Sequence, residues 1–135
     1  MARTGGCLCG GVRYEVDGPL APVQLCHCEQ CRKAQGSAFG ANMPVAASTV
    51  RWLRGEDLMR EHRASPGKRR VFCGTCGSPL FSQRDDTPET LRLRVGALDG
   101  DGADLEIGFH IQTAWKAAWC PIDDDRPAYP GEAPA

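Results

Sequence analysis

No segment of this 135-residue chain approaches the ~18 consecutive apolar residues that a membrane span needs. The first residues, Met1-Ala-Arg-Thr-Gly-Gly-Cys7, hold no apolar stretch of the kind that directs secretion. These two absences argue against a membrane partner and set the cytoplasm as the expected location, where thiols stay reduced. A dominant charge sign is missing too. The formal net charge is -1, which argues against a nucleic-acid partner held by phosphate neutralisation. Aromatic residues make up only 7% of the chain, so the expected core is compact but not rich. Nothing repeats along the chain except pairs of cysteines.

Turn-forming residues and cysteine are abundant instead. Gly 16 and Pro 10 point to many turns and short strands rather than long helices. The length suits one domain with one core. Strands are expected at 11–16, 23–26, 38–45, 50–53, 91–95 and 105–111, with a hairpin from 58–64 and 69–73 around Ser65-Pro-Gly-Lys68. Glu29 to Gln35 reads as a short helical turn ended by Gly36, and 114–119 as another. After Cys120 the composition shifts to four prolines and the run Asp123-Asp124-Asp125. The expected organisation is therefore a domain over 1–120 and a Pro/Asp-rich tail over 121–135, extended or poorly ordered.

Eight cysteines in a reducing compartment point to metal rather than to disulfides. They fall into three motifs and a leftover Cys120. Cys73-Gly-Thr-Cys76-Gly is a knuckle, in which two thiolates on a tight turn grip one tetrahedral zinc at ~2.3 Å. Gly74 and Gly77 let the backbone bend and aim N–H groups at the sulfurs. A redox pair is the rival for this motif, but it normally opens a helix, and Gly-Ser-Pro follows here. A knuckle supplies two ligands, and Cys7-Leu-Cys9-Gly-Gly is the matching pair for a closed four-cysteine site.

That pairing leaves Cys26-His-Cys28-Glu-Gln-Cys31. Three thiolates this close can face one metal and leave a fourth position for water or substrate, as catalytic zinc sites do. A second closed site is the competing arrangement, with Cys120, His27, His62 or His110 as the fourth ligand. His27 is expected to point away from the metal, since neighbours on an extended chain alternate. His110 reads as a satisfied core histidine, and Trp52, Trp115 and Trp119 as core or pocket lining.

Gly6-Cys7-Leu-Cys9-Gly-Gly-Val-Arg-Tyr-Glu-Val16, the Cys26–Lys33 segment, Gly36-Ser-Ala-Phe39 and Phe72-Cys73-Gly-Thr-Cys76-Gly-Ser-Pro-Leu-Phe81 together resemble the glutathione-dependent formaldehyde-activating enzyme family, which shares its domain with centromere protein V. The resemblance runs from about Gly5 to Trp119. It implies a mainly-β, zinc-stabilised β-tent of several short antiparallel sheets with few helical turns. It implies two zinc ions per chain: a structural one on Cys7, Cys9, Cys73 and Cys76, and a catalytic one on Cys26, Cys28 and Cys31. The implied activity is a carbon–sulfur lyase reaction joining glutathione with formaldehyde to give S-(hydroxymethyl)glutathione. The partners would then be a small thiol and a small aldehyde. Near the end the family commonly reads like His-Ile-Phe-Val-x-Ser-Lys-Ala-Pro-Trp, and this chain departs at Gln112, Thr113, Trp115 and Ala118, where a substrate pocket would be reshaped.

A three-thiolate zinc carries a site charge of about -1 and is a poor water activator. It suits a fourth sulfur instead. Arg32 and Lys33 follow the triple and are candidates for drawing in the carboxylates of glutathione, or else form a solvated helix face. The alternative function is a non-catalytic, zinc-stabilised binding module of the same fold.

Overall fold

The computed structural model describes residues 2–134. The described residues form ten strands and one α-helix, with short 3₁₀ turns between several of them. It is mainly β, as expected. Contacts divide it into two compact units: residues up to Ala21 with Met43–Ala103, and Pro22–Asn42 with the residues from Asp104 onward. The length suits one core, but the buried apolar residues form two clusters, one per unit.

In the first unit, β1 (Ala2–Gly6) and β2 (Arg13–Asp17) form an antiparallel hairpin, and β5 (Val50–Arg54) pairs with the other edge of β2. A second sheet contains a meander of β6 (Met59–Ser65), β7 (Lys68–Cys73), β8 (Pro79–Arg84) and β9 (Thr90–Arg94). Tyr14, Val16 and Val12 from the first sheet and Leu80, Phe81, Leu91 and Leu93 from the second share one apolar cluster with Cys7 and Cys73. Both cysteine turns of this unit are thus rooted in its core.

Two of these strands were not expected from the sequence. Residues 2–6, Ala-Arg-Thr-Gly-Gly, show no apolar alternation, and β1 exists because β2 offers it a paired edge. Strand β8 begins at Pro79 and buries three consecutive residues, Leu80, Phe81 and Ser82, so a period of two is absent. Elsewhere the patterns hold closely.

In the second unit, β3 (Val23–Cys26) pairs antiparallel with the first residues of β4 (Gly40–Ala46), a strand that runs on into the other unit. On its other side β3 pairs in parallel with β10 (Ile107–Ile111). Helix α1 (Glu29–Gln35) lies between β3 and β4 in sequence and ends at Gly36. Gln35 fastens the helix to β4: its Nε2 donates to Asn42 Oδ1 at 3.0 Å, and its Oε1 accepts from the Ala41 N–H at 3.2 Å. Gly40, an oddity in a strand pattern, is required by this approach. A Cβ there would lie 3.1 Å from Cys31 Cβ and 2.6 Å from Gln35 Nε2.

The residues after Cys120 are extended, but they are not loose. Backbone bonds run from His110 N to Pro127 O at 2.9 Å, Tyr129 N to His110 O at 3.0 Å and Gln112 N to Gly131 O at 2.9 Å. Tyr129 and Ala133 pack on the cluster of Cys26, Cys31 and Ile111. A segment with four prolines cannot build a ladder of its own, yet its carbonyls and few N–H groups suffice to flank an existing edge. Among the described residues, no helix is long and apolar enough to cross a membrane.

Candidate metal centre

All eight cysteines are free thiols, and seven gather into two groups. Within each group every sulfur lies within 4.8 Å of every other.

The first group sits in two hairpin turns. Cys7 and Cys9 occupy the β1–β2 connection; Cys73 ends β7 and Cys76 lies in the β7–β8 connection. Each turn is folded by its own backbone: Cys7 N donates to Val12 O at 3.1 Å, and Gly77 N donates to Cys73 O at 2.8 Å. Gly77 has φ +81°, a conformation that L side chains rarely adopt, which is why the knuckle ends in glycine. Backbone N–H groups point at the sulfurs, Val12 N–H at Cys7 Sγ (3.2 Å) and Thr75 N–H at Cys73 Sγ (3.4 Å). The sulfurs of Cys7 and Cys9 are 3.5 Å apart and those of Cys9 and Cys73 are 3.9 Å apart. A tetrahedron with bonds of ~2.3 Å has edges of about 3.8 Å, so the spacing fits zinc.

The titration of this group tells the same story. The Ser78 hydroxyl and its backbone hold the Cys76 thiol down at about 5. At Cys9 the Gly11 N–H is the largest single influence and pulls downward, but the Cys7 sulfur, desolvation and the Cys76 and Cys73 sulfurs together outweigh it, and the thiol is pushed up to about 11. Four sulfurs this close cannot all ionise without a cation, and the donor set could hold a metal ion such as zinc.

The second group is local. Cys26 ends β3, Cys28 caps α1, and Cys31 sits in the helix, buried at 2% exposure. The Cys31 N–H donates to Cys28 Sγ at 3.3 Å, and the helix forms because that cap is available. The Cys26 thiol is pushed far up, first by sharing with Cys28 and then with Cys31. The arrangement again calls for a cation. Among the described residues no fourth Cys, His, Asp or Glu atom joins these three sulfurs, so Cys120, His27, His62 and His110 all lie outside the group. Cys28 instead lines a cavity of about 400 Å³ together with Glu29, Gln30, Gln112 and Trp115. That size falls in the range of small-molecule pockets.

His27 turns to a different task. Its Nε2 meets His110 Nδ1 at 2.8 Å, and His110 Nε2 meets both carboxylate oxygens of Asp124 at 3.0 Å. Burial, then His110 and Lys116, push the His27 imidazole below its ordinary value. His110 is thus the satisfied core histidine that its apolar neighbours suggest. Lys33 is exposed and pairs with Glu29 at 3.0 Å, one helical turn away. Arg32 Nε is buried without a hydrogen-bond partner. Neither lines the cavity. Trp52 packs on the first core, Trp115 lines the cavity, and Trp119 is 72% exposed and outside the core.

Sequence reasoning missed Asp124, Glu29 and Gln30 as site residues. Nothing in Asp123-Asp124-Asp125 distinguishes the middle residue, whose role comes from the tail's register on β10. Gln112 stood out only as a departure; it is the single non-glycine residue of positive φ among those described (56°).

Together these features define a mainly-β protein with two cysteine clusters, one closed and one incomplete, each of a geometry suited to zinc. Residues 2–114 match the family described as glutathione-dependent formaldehyde-activating enzyme, and the chain belongs to that family. Its fold is also similar to a crystal structure of a Rhodobacter sphaeroides protein from a structural genomics programme. That match has 28% sequence identity and a TM-score of 0.62, and it covers 75% of this chain and 92% of the other.

Proposed function

We propose that the chain is a zinc-dependent enzyme of the carbon–sulfur lyase type that joins a thiol such as glutathione with formaldehyde or another small aldehyde. One observation carries this reading: Cys28 belongs to an incomplete three-sulfur cluster and at the same time lines an open cavity with Gln30, Gln112 and Trp115. A zinc held by Cys26, Cys28 and Cys31 would supply a soft acceptor for a fourth sulfur. The chain's own residues then orient the thiol. Gln30 and Gln112 offer amide donors and acceptors to a peptide-like substrate, and Trp115 offers an apolar wall. The Cys31 N–H holds the Cys28 sulfur in place through its hydrogen bond.

The reaction is redox-neutral. A sulfur–carbon bond forms, the carbonyl π pair moves to oxygen, and the proton that leaves sulfur ends on that oxygen. Gathering thiol and aldehyde in one cavity would provide much of the acceleration. Arg32 and Lys33 belong to this reading as long-range attractors of the glutathione carboxylates, because neither contacts the cavity.

The test uses zinc-loaded protein with glutathione and formaldehyde, following S-hydroxymethyl formation by exchange NMR and the zinc shell by X-ray absorption. The expected result is a faster exchange than in buffer, one added sulfur on zinc, and loss of both in Cys28→Ser. No acceleration and no added sulfur at millimolar glutathione would overturn the reading and favour a non-catalytic binding module.

A further inference from the structure

Asp124, His110 and His27 form a continuous hydrogen-bonded line from the C-terminal tail to the residue between two cysteines of the incomplete cluster. His27 and His110 are 2% and 3% exposed. The line has a direction. A carboxylate only accepts, so His110 Nε2 carries the proton that Asp124 receives. In the neutral imidazole His110 Nδ1 is then an acceptor, and the N–H of His27 Nε2 donates to it. This leaves the lone pair of His27 at Nδ1, which is buried and has no hydrogen-bond partner. The opposite direction would put an N–H there, and a buried N–H without an acceptor is the rarer defect. The tautomers are thus assigned from the hydrogen-bond network.

We propose that Asp124 is a positioning residue for the three-cysteine site, locking His27 through His110 and thereby fixing the backbone between Cys26 and Cys28. His27 is anchored at both ends, since its N–H also donates to Ile111 O at 3.0 Å. A ring that cannot turn holds the two flanking peptide units, and these set where the sulfurs of Cys26 and Cys28 point. Asp124 is itself held. It accepts from the Arg126 N–H at 3.2 Å and faces the Arg126 guanidinium at 3.6 Å, while Arg126 Nε donates to Ile107 O at 2.9 Å. The tail therefore reaches the metal cluster without contributing a ligand. Such outer partners commonly change metal affinity 10- to 100-fold, by the order of magnitude seen when ligand-orienting groups are removed.

The proposal rests on reading this cluster as a metal site, but not on the reaction proposed for it. Full-length zinc-loaded Asp124→Ala and Asp124→Asn are compared with the parent. Long-range proton–nitrogen NMR reports the tautomers of His27 and His110, and a chelator titration counts the two zinc populations. In the parent, His27 is expected to carry its proton on Nε2. Asp124→Asn keeps that pattern, because its amide oxygen still accepts from His110. Asp124→Ala is expected to mix the tautomers and to lose one zinc at about tenfold lower chelator concentration, with the four-cysteine zinc unmoved. A parent with His27 protonated on Nδ1, or an alanine variant that keeps both the pattern and the zinc, would overturn the proposal. Neither readout involves glutathione or aldehyde, so failure of the proposed reaction leaves this result standing, and the reverse.

Discussion

Cys9 and Cys73 are 64 residues apart in the chain, and their sulfurs sit 3.9 Å apart, whereas Cys26, Cys28 and Cys31 fall within a single strand-end and helix turn. The first cluster closes a long loop and joins the turns of two sheets around one core. Closing such a loop removes much more entropy from the unfolded chain than gathering near neighbours does. The second cluster closes almost nothing, so a metal there adds little to folding. The difference teaches where function can sit: a site the fold depends on must be complete, and a site the fold can do without is at liberty to keep a ligand position for substrate.

Serine substitutions test this most severely. Zinc binding at a structural site is worth about 10–16 kcal/mol, against a net stability of about 5–15 kcal/mol for a whole domain. Cys73→Ser is therefore expected to abolish the cooperative thermal transition seen by circular dichroism. Cys28→Ser is expected to melt close to the parent and to lose one of two zinc equivalents. A folded Cys73→Ser or an unfolded Cys28→Ser would erase the distinction between the clusters.

Gly40 offers a finer cut, because it touches one cluster only. A valine side chain there has to displace Gln35 and crowd Cys31 Cβ. Overpacking of this kind costs about 1–3 kcal/mol. Gly40→Val should lower the unfolding free energy obtained from urea titration by that amount and weaken zinc retention at the three-cysteine site alone. Equal loss of both zincs would mean that the clusters are not independent.

Trp115 probes the cavity rather than the metal. At 63% exposure it contributes little to stability. If it forms a wall for the thiol, Trp115→Ala should raise KM for glutathione about fivefold, with kcat and zinc content unchanged, a loss of about 1 kcal/mol in uniform binding.

Both cysteine clusters were legible in the sequence, and the tail was not. Close cysteine spacing exposes the triple, and two close pairs flanked by glycines expose the four-cysteine group, since few residue types can do this work. The helix over Glu29–Gln35 was legible for a similar reason, with its cap and its Gly36 stop both written in the chain. The tail's three aspartates look alike, and only the register of Pro127 and Tyr129 on β10 brings Asp124 under His110. Strand β1 was invisible because its reason for existing lies in β2. What depends on a neighbour's edge leaves little trace in the residues that fill it.

The smallest expected effect concerns the acidic residue that serves the four-cysteine side. Asp99 bonds the guanidinium of Arg13 and the Thr4 hydroxyl, the latter at 2.6 Å, and so braces the β1–β2 hairpin that carries Cys7 and Cys9. Arg13 first, and Thr4 after it, hold the Asp99 carboxyl below its ordinary value of 3.8. The unfolded chain then binds a proton more readily than the folded one, so this contribution is present above pH 3.8 and is lost as the pH falls through the lowered folded value. The pair is substantially exposed, with 28% and 44% of the two side chains open to water, and solvent screening keeps it under about 1 kcal/mol. Acid also strips metal from thiolates, so parent stability alone cannot isolate the effect. The difference between parent and Asp99→Asn can, because both lose metal alike. That difference should be small at neutral pH and vanish in strong acid. A gap of several kcal/mol would mean that the brace, and not the metal, dominates the stability of this unit. The contrast between a cluster that holds the fold and one that does not would then rest on the wrong interaction.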